Sequence, residues 1–207
     1  MARPPSDPDY AYEAALPAPV CGIDEAGRGP WAGPVVAAAV ILRPGEIPPG
    51  LADSKVLAPA RRRALFTDLA KVAEIGVGRA EVAEIDRLNI LGATMLAMRR
   101  AVAALPRPPA AALVDGNRPP DLSCRVECLV KGDARSLSIA AASIVAKVSR
   151  DALMADLAAE FGGYGWERNM GYGTAEHRDG LARLGVTVHH RRSFAPIKRL
   201  LDSAVSN

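Results

Sequence analysis

Aromatic residues are scarce in this chain of 207 residues, since three Phe, two Trp and four Tyr amount to 4% of it. Base stacking on a broad aromatic surface is therefore not expected to be its main way of binding a ligand. No apolar run is long enough to span a membrane, and we expect no membrane association. Cysteine is limited to Cys21, Cys124 and Cys128. An odd cysteine count and an N-terminus unlike a secretory signal indicate a reducing compartment, so we expect a cytoplasmic protein.

The length fits one domain, and composition separates a short leader from it. Residues 1–19 are rich in Pro and Ala and predict a flexible leader, followed by a single domain over residues 20–207. The net charge of +3 permits a polyanionic partner without requiring one. Its distribution is more informative, because residues 177–199 contain six Arg and Lys but a single acid, Asp179. The sequence identifies no protein partner, and we expect a monomer.

Hydrophobic patterning predicts an α/β fold in which helices cover a mixed sheet. The predicted strands are residues 20–23, 34–42, 74–82, 111–114 and 125–130. The predicted helices are residues 59–74, 83–105, 136–161, 175–184 and a last one from about 196. The short connection between the first two strands favours an antiparallel pair. The part from about residue 160 onward is expected to be a helical extension.

Acidic residues follow three of the predicted strands. Asp24 and Glu25 come after the first, Asp115 ends "LVDG", and Asp133 follows "LVKG". If the strands are neighbours, these carboxylates converge and repel one another unless a cation neutralises them. Oxygen ligands of this kind suit Mg²⁺ or Mn²⁺, and a pair of such ions can activate water and stabilise a leaving oxygen. The alternative is that the acids are turn residues and helix caps, with Asp133 as a cap.

The segment "GIDEAGRGP" adds a second functional feature after its two acids. Gly27 and Gly29 allow a ligand to come close to the main chain, because no side chain obstructs it. Arg28 between them can contact a phosphate. A tight turn with positive φ at the glycines is the alternative, and both interpretations can hold together.

Seven segments, taken together, resemble the bacterial ribonuclease HII family. They are "GIDEAGRGPWAGPVVAAAVIL", "DSK", "LVDGN", "KGDA", "IAAASIVAKVSRD", "GYGT" and "HHRRSF". They occur in the family's order and extend over nearly all of residues 21–197, and the first and fifth are highly specific in combination. The resemblance implies a ribonuclease H-like fold, with a five-stranded mixed sheet flanked by helices and a helical C-terminal extension.

The resemblance also implies an activity. A member of this family is a metal-dependent endoribonuclease of type 2, which hydrolyses RNA in RNA–DNA hybrids and cuts duplex DNA on the 5′ side of single embedded ribonucleotides. It uses Mn²⁺ or Mg²⁺ in two-metal-ion catalysis and leaves a 5′-phosphate and a 3′-hydroxyl. The 2′-hydroxyl is then recognised and is not the nucleophile. The implied roles are ribonucleotide removal in DNA repair and primer removal in DNA replication.

Carried over by motif, the resemblance assigns the site residues. The metal-binding and catalytic acids are Asp24, Glu25, Asp115 and Asp133. The residues that read the ribose at the RNA–DNA junction are Gly27, Arg28, Gly29 and Tyr172. Two positions depart from the family pattern, since Val56 and Met170 stand where lysines are common. Both departures remove a positive charge and bear on substrate affinity, not on the chemistry.

Several basic residues are candidates for phosphate contacts. They are Lys55, Lys147, Arg150, His190 and Arg191. Two alternatives stay open for them, namely an ion pair of the helical residues with Asp151 and a solvated basic face. For Tyr172 the alternative is packing beside Trp166.

Two other classes of function fit parts of this pattern. A resolvase- or integrase-like nuclease would share the acids but would cut all-DNA substrates. A non-catalytic module would bind hybrids without consuming them. A hydrolase for small phosphate esters fits the basic C-terminal segment poorly.

Overall fold

A computed structural model describes residues 7–205, and its centre is a five-stranded mixed sheet. The strands are β1 (Val20–Ala26), β2 (Val35–Ile41), β3 (Glu74–Ala80), β4 (Ala111–Asp115) and β5 (Arg125–Leu129). Their order across the sheet is β3-β2-β1-β4-β5. β2 pairs antiparallel with β1 and with β3, whereas β4 is parallel to β1 and to β5. The predicted mixed sheet and its antiparallel first pair are confirmed.

Helices cover both faces of this sheet. They are α1 (Ala11–Ala14), α2 (Pro59–Val72), α3 (Val82–Ala103), α4 (Leu137–Glu160), α5 (Trp166–Asn169), α6 (Ala175–Leu184) and α7 (Ala195–Val205). Successive residues of β2 pack on opposite sides, Ala37 and Ala39 in the cluster that includes α3, and Ala38 and Val40 in the cluster that includes α4. The continuous apolar run at residues 34–42 follows from this burial on both faces. Within residues 7–205, no helix has the length and hydrophobicity to cross a bilayer.

Helix α3 is kinked, which differs from the uninterrupted helix predicted over residues 83–105. Asn89 adopts φ 58° and ψ 171°, outside the helical region. Its side-chain Oδ1 accepts hydrogen bonds from the N–H groups of Leu91 at 2.9 Å and Gly92 at 3.1 Å. The side chain therefore caps a second helical segment, a local competition that hydrophobic periodicity does not reveal.

The N-terminal segment, predicted as a flexible leader over residues 1–19, makes contacts with the domain over part of its length. Residues 1–6 lie outside the described part of the chain. Tyr12 and Leu16 pack against the cluster of Val20, Ala111, Leu113 and Ile139. The main-chain N–H of Asp9 donates to the carbonyl of Arg135 at 3.1 Å. We call residues 9–16 the N-terminal arm, because their apolar side chains and main-chain hydrogen bonds hold them against the domain.

Candidate metal centre and substrate-facing loops

The carboxyl ends of neighbouring strands place the predicted acids together. β1 and β4 are parallel with Ile23 opposite Val114, so the residues that follow, Asp24 and Asp115, lie side by side. Asp115 ends β4, whereas β1 continues beyond the predicted strand through Asp24 to Ala26. Asp133 lies in a 3₁₀ turn, Gly132–Ala134, after β5. Carboxylate oxygens of Asp24, Asp115 and Asp133 all lie within 4.8 Å of one another. We call these three residues the acidic triad.

The negative charges of the triad are costly where they stand. Burial raises the pKa of Asp24 well above its ordinary value, and the charges of Glu25 and Asp115 raise it further. Burial and then Asp115 also raise the pKa of Asp133. The N–H of Gly132 donates to Asp115 Oδ1 at 2.7 Å, which offsets part of this cost. A buried cluster of oxygens that repel one another fits a hard divalent cation such as Mg²⁺ or Mn²⁺.

Glu25 is adjacent to the triad and is not one of its three members. Successive side chains of a strand point to opposite faces, so Glu25 diverges from Asp24. Its Oε1 accepts a hydrogen bond from Arg28 at 3.0 Å. Burial raises the pKa of Glu25, and the hydrogen bond and charge of Arg28 oppose that rise. Glu25 lines a cavity of about 70 Å³ with Arg28, Asp115 and Asn117, and its role toward a metal remains a prediction.

The two candidate lysines differ in their surroundings. Lys55 is exposed, and its Nζ lies 3.6 Å from Asp133 Oδ2 and 3.8 Å from Asp53 Oδ1. Burial lowers the pKa of Lys55, but the nearby acids outweigh it and raise that pKa above its ordinary value. Lys147 instead donates to Asp151 Oδ1 at 2.7 Å. The ion-pair alternative therefore describes Lys147, while Lys55 brings a positive charge to the edge of the triad.

Arg150 and Arg191 are buried, which corrects the prediction that they contact substrate phosphates. Their relative exposures are 1% and 0%. Arg150 donates to the carbonyls of Ala32, Pro34 and Met170. Arg191 donates to the carbonyls of Gly27, Arg28, Gly33 and Pro34. Both guanidinium groups therefore hold the main chain of the β1–β2 loop, and Arg150 ties that loop to Met170.

These hydrogen bonds hold the "GRG" and "GYGT" segments against each other. Gly27 has φ +94°, and a Cβ there would lie 1.9 Å from Arg150 Nε. A Cβ at Gly29 would lie 3.2 Å from Tyr172 Cε1, so the tyrosine ring stands beside this glycine. Tyr172 is 50% exposed, and Trp166 stacks on Tyr164 at 5.0 Å between ring centroids. We call the patch formed by residues 27–29 and Tyr172 the glycine–tyrosine surface.

His190 is also buried, which corrects its predicted contact with a nucleic-acid backbone. Its Nδ1 accepts from the N–H of Thr187 at 3.0 Å, so its Nε2 carries the proton toward His177 Nε2, 3.0 Å away. His177 Nε2 also accepts from Trp166 Nε1 at 3.1 Å. His177 Nδ1 then donates to the carbonyl of Tyr172 at 3.0 Å. Two neutral histidines thus support the main chain of Tyr172 from inside.

This histidine pair predicts an acid-sensitive fold. Burial, followed by the charges of His177 and His189, lowers the pKa of His190 to about 4, and burial lowers the pKa of His177. The unfolded chain binds these protons from about pH 6.5 downward, and the folded chain resists binding them. The free energy of unfolding is therefore highest above that pH and decreases as the pH falls toward 4. Thermal melts across this range should show the decline. His190→Gln should flatten it, and an unchanged slope in a folded variant would contradict the assignment.

Comparison with known proteins gives one consistent family. A family model described as ribonuclease HII matches residues 21–197. The ribonuclease HII of Jannaschia sp. (strain CCS1) is 61% identical over 195 residues, covering 94% of this chain and 98% of the relative. The ribonuclease H2 from Pyrococcus horikoshii OT3 has a TM-score of 0.76 at 26% identity, covering 91% of this chain and 99% of that chain. These matches agree with the resemblance that the motifs indicated.

One further solved structure bears on the fold alone. Bst-RNase HIII in complex with Mn²⁺ has a TM-score of 0.73 at 23% identity, covering 91% of this chain and 70% of that chain. The architecture is therefore shared with both type 2 and type 3 enzymes. The predicted ribonuclease H-like sheet is confirmed.

Proposed function

Because the chain belongs to the ribonuclease HII family and is an endoribonuclease of the H2 type, we propose that it cuts duplex DNA on the 5′ side of single embedded ribonucleotides and also hydrolyses RNA in RNA–DNA hybrids. The products are a 5′-phosphate and a 3′-hydroxyl. The observation that carries this proposal is the convergence of Asp24, Asp115 and Asp133 beside the glycine–tyrosine surface. The clustered acids are suited to holding metal ions for phosphate hydrolysis. The exposed main chain beside them is suited to recognising the sugar.

The triad is proposed to hold two divalent ions together with Glu25. Such ions supply activation of water and stabilisation of the leaving oxygen. The side chains contribute fixed positions, because Asp24 and Asp115 lie side by side in neighbouring strands of the sheet. Lys55, 3.6 Å from Asp133, adds a positive charge at the edge where the phosphate would lie. The ion used by the protein is Mn²⁺ or Mg²⁺, the hard cations that this oxygen set suits.

The glycine–tyrosine surface is proposed to distinguish RNA from DNA. The two sugars differ by one hydroxyl, which a protein can read only with a donor or acceptor at close range. Gly27 and Gly29 leave the main chain open to such an approach, while the ring of Tyr172 stands beside Gly29. Arg191 and Arg150 hold this main chain in place from beneath. They are positioning residues in this proposal and do not touch the substrate.

The test of this function is a cleavage map on three matched duplexes: all DNA, DNA with one ribonucleotide, and an RNA–DNA hybrid. We expect no cut in the first, one cut on the 5′ side of the ribonucleotide in the second, and several cuts in the third. All cleavage should require Mn²⁺ or Mg²⁺. Cutting of the all-DNA duplex would favour a resolvase-like nuclease, and binding without product would favour a non-catalytic module.

Tyr172→Ala is expected to impair cleavage at a single ribonucleotide more than cleavage of a continuous hybrid. A hybrid offers many registers, whereas a single ribonucleotide must be placed beside this one ring. Loss of a stacking contact is worth about 1–3 kcal/mol, or roughly 5- to 150-fold in kcat/KM on the single-ribonucleotide duplex. Tyr172→Phe, which keeps the ring, is the matched control and separates stacking from the hydroxyl. An equal loss on both substrates would argue against reading of the junction.

A further inference from the structure

Glu13 in the N-terminal arm is a buried acid outside the acidic triad. Its side chain is 2% exposed. Its Oε1 accepts hydrogen bonds from the hydroxyl of Ser136 at 2.5 Å, the hydroxyl of Ser138 at 2.5 Å and the N–H of Ser138 at 2.8 Å. Its Oε2 is buried and has no hydrogen-bond partner among residues 7–205. A buried carboxylate with an unpaired oxygen costs free energy, so its placement needs a reason beyond stability.

The three donors to Glu13 begin helix α4. Ser136 is the N-cap of α4, since its Oγ accepts from the N–H of Ile139 at 3.2 Å. The positive end of the helix dipole also favours an acid at this point. The main chain of Asp9 adds two hydrogen bonds at 3.1 Å, one from its N–H to Arg135 and one from Leu137 to its carbonyl. The arm is therefore hydrogen-bonded to residues 135–138 through both its main chain and its side chains.

Residues 135–138 directly follow the turn that carries Asp133. The N–H groups of Arg135 and Ser136 both donate to the carbonyl of Gly132, at 2.9 and 2.8 Å. Lys131, just before the turn, adopts φ 56°, a conformation that a non-glycine residue takes only at a cost. Such a turn depends on its neighbours to stay in place.

Strand β1 also contacts the start of this helix. A Cβ at Gly22 would lie 2.1 Å from the carbonyl carbon of Ser138, so the strand and the helix main chain are in direct contact. Gly22 lies two residues before Asp24 on β1. The first turn of α4 thus contacts both the strand that carries Asp24 and the arm that carries Glu13. Asp133 lies three residues before Ser136, the N-cap of the same helix.

We propose that Glu13 is a positioning residue for the metal centre. By holding Ser136 and Ser138 it fixes the first turn of α4, and through it keeps Asp133 at the distance from Asp24 and Asp115 that a divalent cation requires. The inference rests on the proposed metal-binding role of the triad. Residues bonded directly to a metal ligand change metal affinity by about 10- to 100-fold when they are replaced. Glu13 acts through Ser136, which bonds to Gly132 beside Asp133, so we expect an effect at the lower end of that range.

The test is a titration of the full chain with Mn²⁺ in the absence of nucleic acid. The electron paramagnetic resonance signal of the unbound ion gives the Kd. Glu13→Gln is expected to raise the Kd for Mn²⁺ about tenfold, and Glu13→Ala at least as much. Glu160→Gln, which removes an exposed acid from the other end of α4, is the matched control and should leave the Kd unchanged. In cleavage assays the Mn²⁺ concentration for half-maximal rate should rise for Glu13→Gln. At saturating Mn²⁺ its kcat should stay within about twofold of that of the original protein. General unfolding of the variant would not allow this recovery.

The outcomes separate this inference from the function on which it rests. If the original protein binds no Mn²⁺, the metal-binding proposal fails. If it binds Mn²⁺ and a folded Glu13→Gln binds it equally well, the positioning role alone is overturned. Should the Glu13 variants not fold, Ser138→Ala removes one of the three donors and is expected to weaken Mn²⁺ binding in the same direction. An unchanged Kd in that variant would also overturn the inference.

Discussion

Asp24→Asn is expected to lower the cleavage rate by about a thousandfold or more, because loss of a metal ligand removes several kcal/mol of transition-state stabilisation. The Kd for a ribonucleotide-containing duplex should remain within about threefold, because the residues proposed to contact sugar and phosphate are unchanged. A threefold change in Kd corresponds to less than about 1 kcal/mol of binding free energy. Single-turnover cleavage with Mn²⁺ and a binding titration without divalent ions, in which no substrate is consumed, measure the two quantities separately. Asp179→Asn removes an acid from the exposed face of α6 and should change neither.

Asp24→Asn is expected to increase the stability of the metal-free protein, although it lowers the cleavage rate. Burial and the charges of Glu25 and Asp115 disfavour the charged form of Asp24, so replacing it with a neutral residue of the same shape relieves repulsion. Without divalent ions, Asp24→Asn should therefore melt at a higher temperature than the original protein. With Mn²⁺ the original protein should gain more in Tm than the variant. Unchanged turnover in Asp24→Asn would remove this residue from the chemistry, whatever its effect on Tm.

Gly27→Ala is expected to damage both stability and selectivity. The residue has φ +94°, and its new methyl group would lie 1.9 Å from Arg150 Nε, a buried group already bonded to the carbonyl of Pro34. Backbone strain and overpacking together cost about 2–5 kcal/mol, which in a protein of this size lowers Tm by roughly 4–20 °C. The displaced loop should also lower kcat/KM for the single-ribonucleotide duplex by at least about tenfold.

Gly45→Ala isolates the contribution of the close contact with Arg150. Gly45 has φ +89°, but no atom of the described part of the chain lies within 4 Å of the position of a Cβ there. This control therefore carries the backbone cost of about 1–2 kcal/mol without a clash and lies outside the proposed recognition surface. If Gly27→Ala and Gly45→Ala lower Tm equally and have the same kcat/KM for the single-ribonucleotide duplex, the packing of Arg150 against Gly27 has no special part in recognition.

Much of the fold follows from patterns that are local in the sequence. The run at residues 34–42 is apolar on both faces because β2 lies between α3 and α4, and its alternation between two clusters is the direct result. Asp24 in β1 and Asp115 in β4 meet because those strands are parallel neighbours, as acids placed alike at the ends of predicted strands suggested. The kink at Asn89 escaped prediction, since a side chain that caps its own helix leaves the hydrophobic period unchanged.

Long-range polar contacts were the part that the sequence could not reveal. In the sequence, Arg150 in a predicted helix and Arg191 in the basic segment both look like surface cations. In the structure they donate together to carbonyls of residues 27, 28, 32–34 and 170. Glu13 stands in a Pro- and Ala-rich leader but bonds to serines more than 120 positions away. Nothing in the spacing of these residues encodes their partners. Only the folded chain shows that each supports a loop or turn beside the acidic triad.

The central claim is that Asp24, Asp115 and Asp133 form a divalent metal site, and a crystal structure with Mn²⁺, read from its anomalous signal, tests it most directly. We predict an anomalous peak within about 2.5 Å of carboxylate oxygens from all three residues. We predict that this peak disappears in crystals of Asp24→Asn grown in the same way. A peak elsewhere on the protein, or none at saturating Mn²⁺ with the three carboxylates still together, would contradict the account.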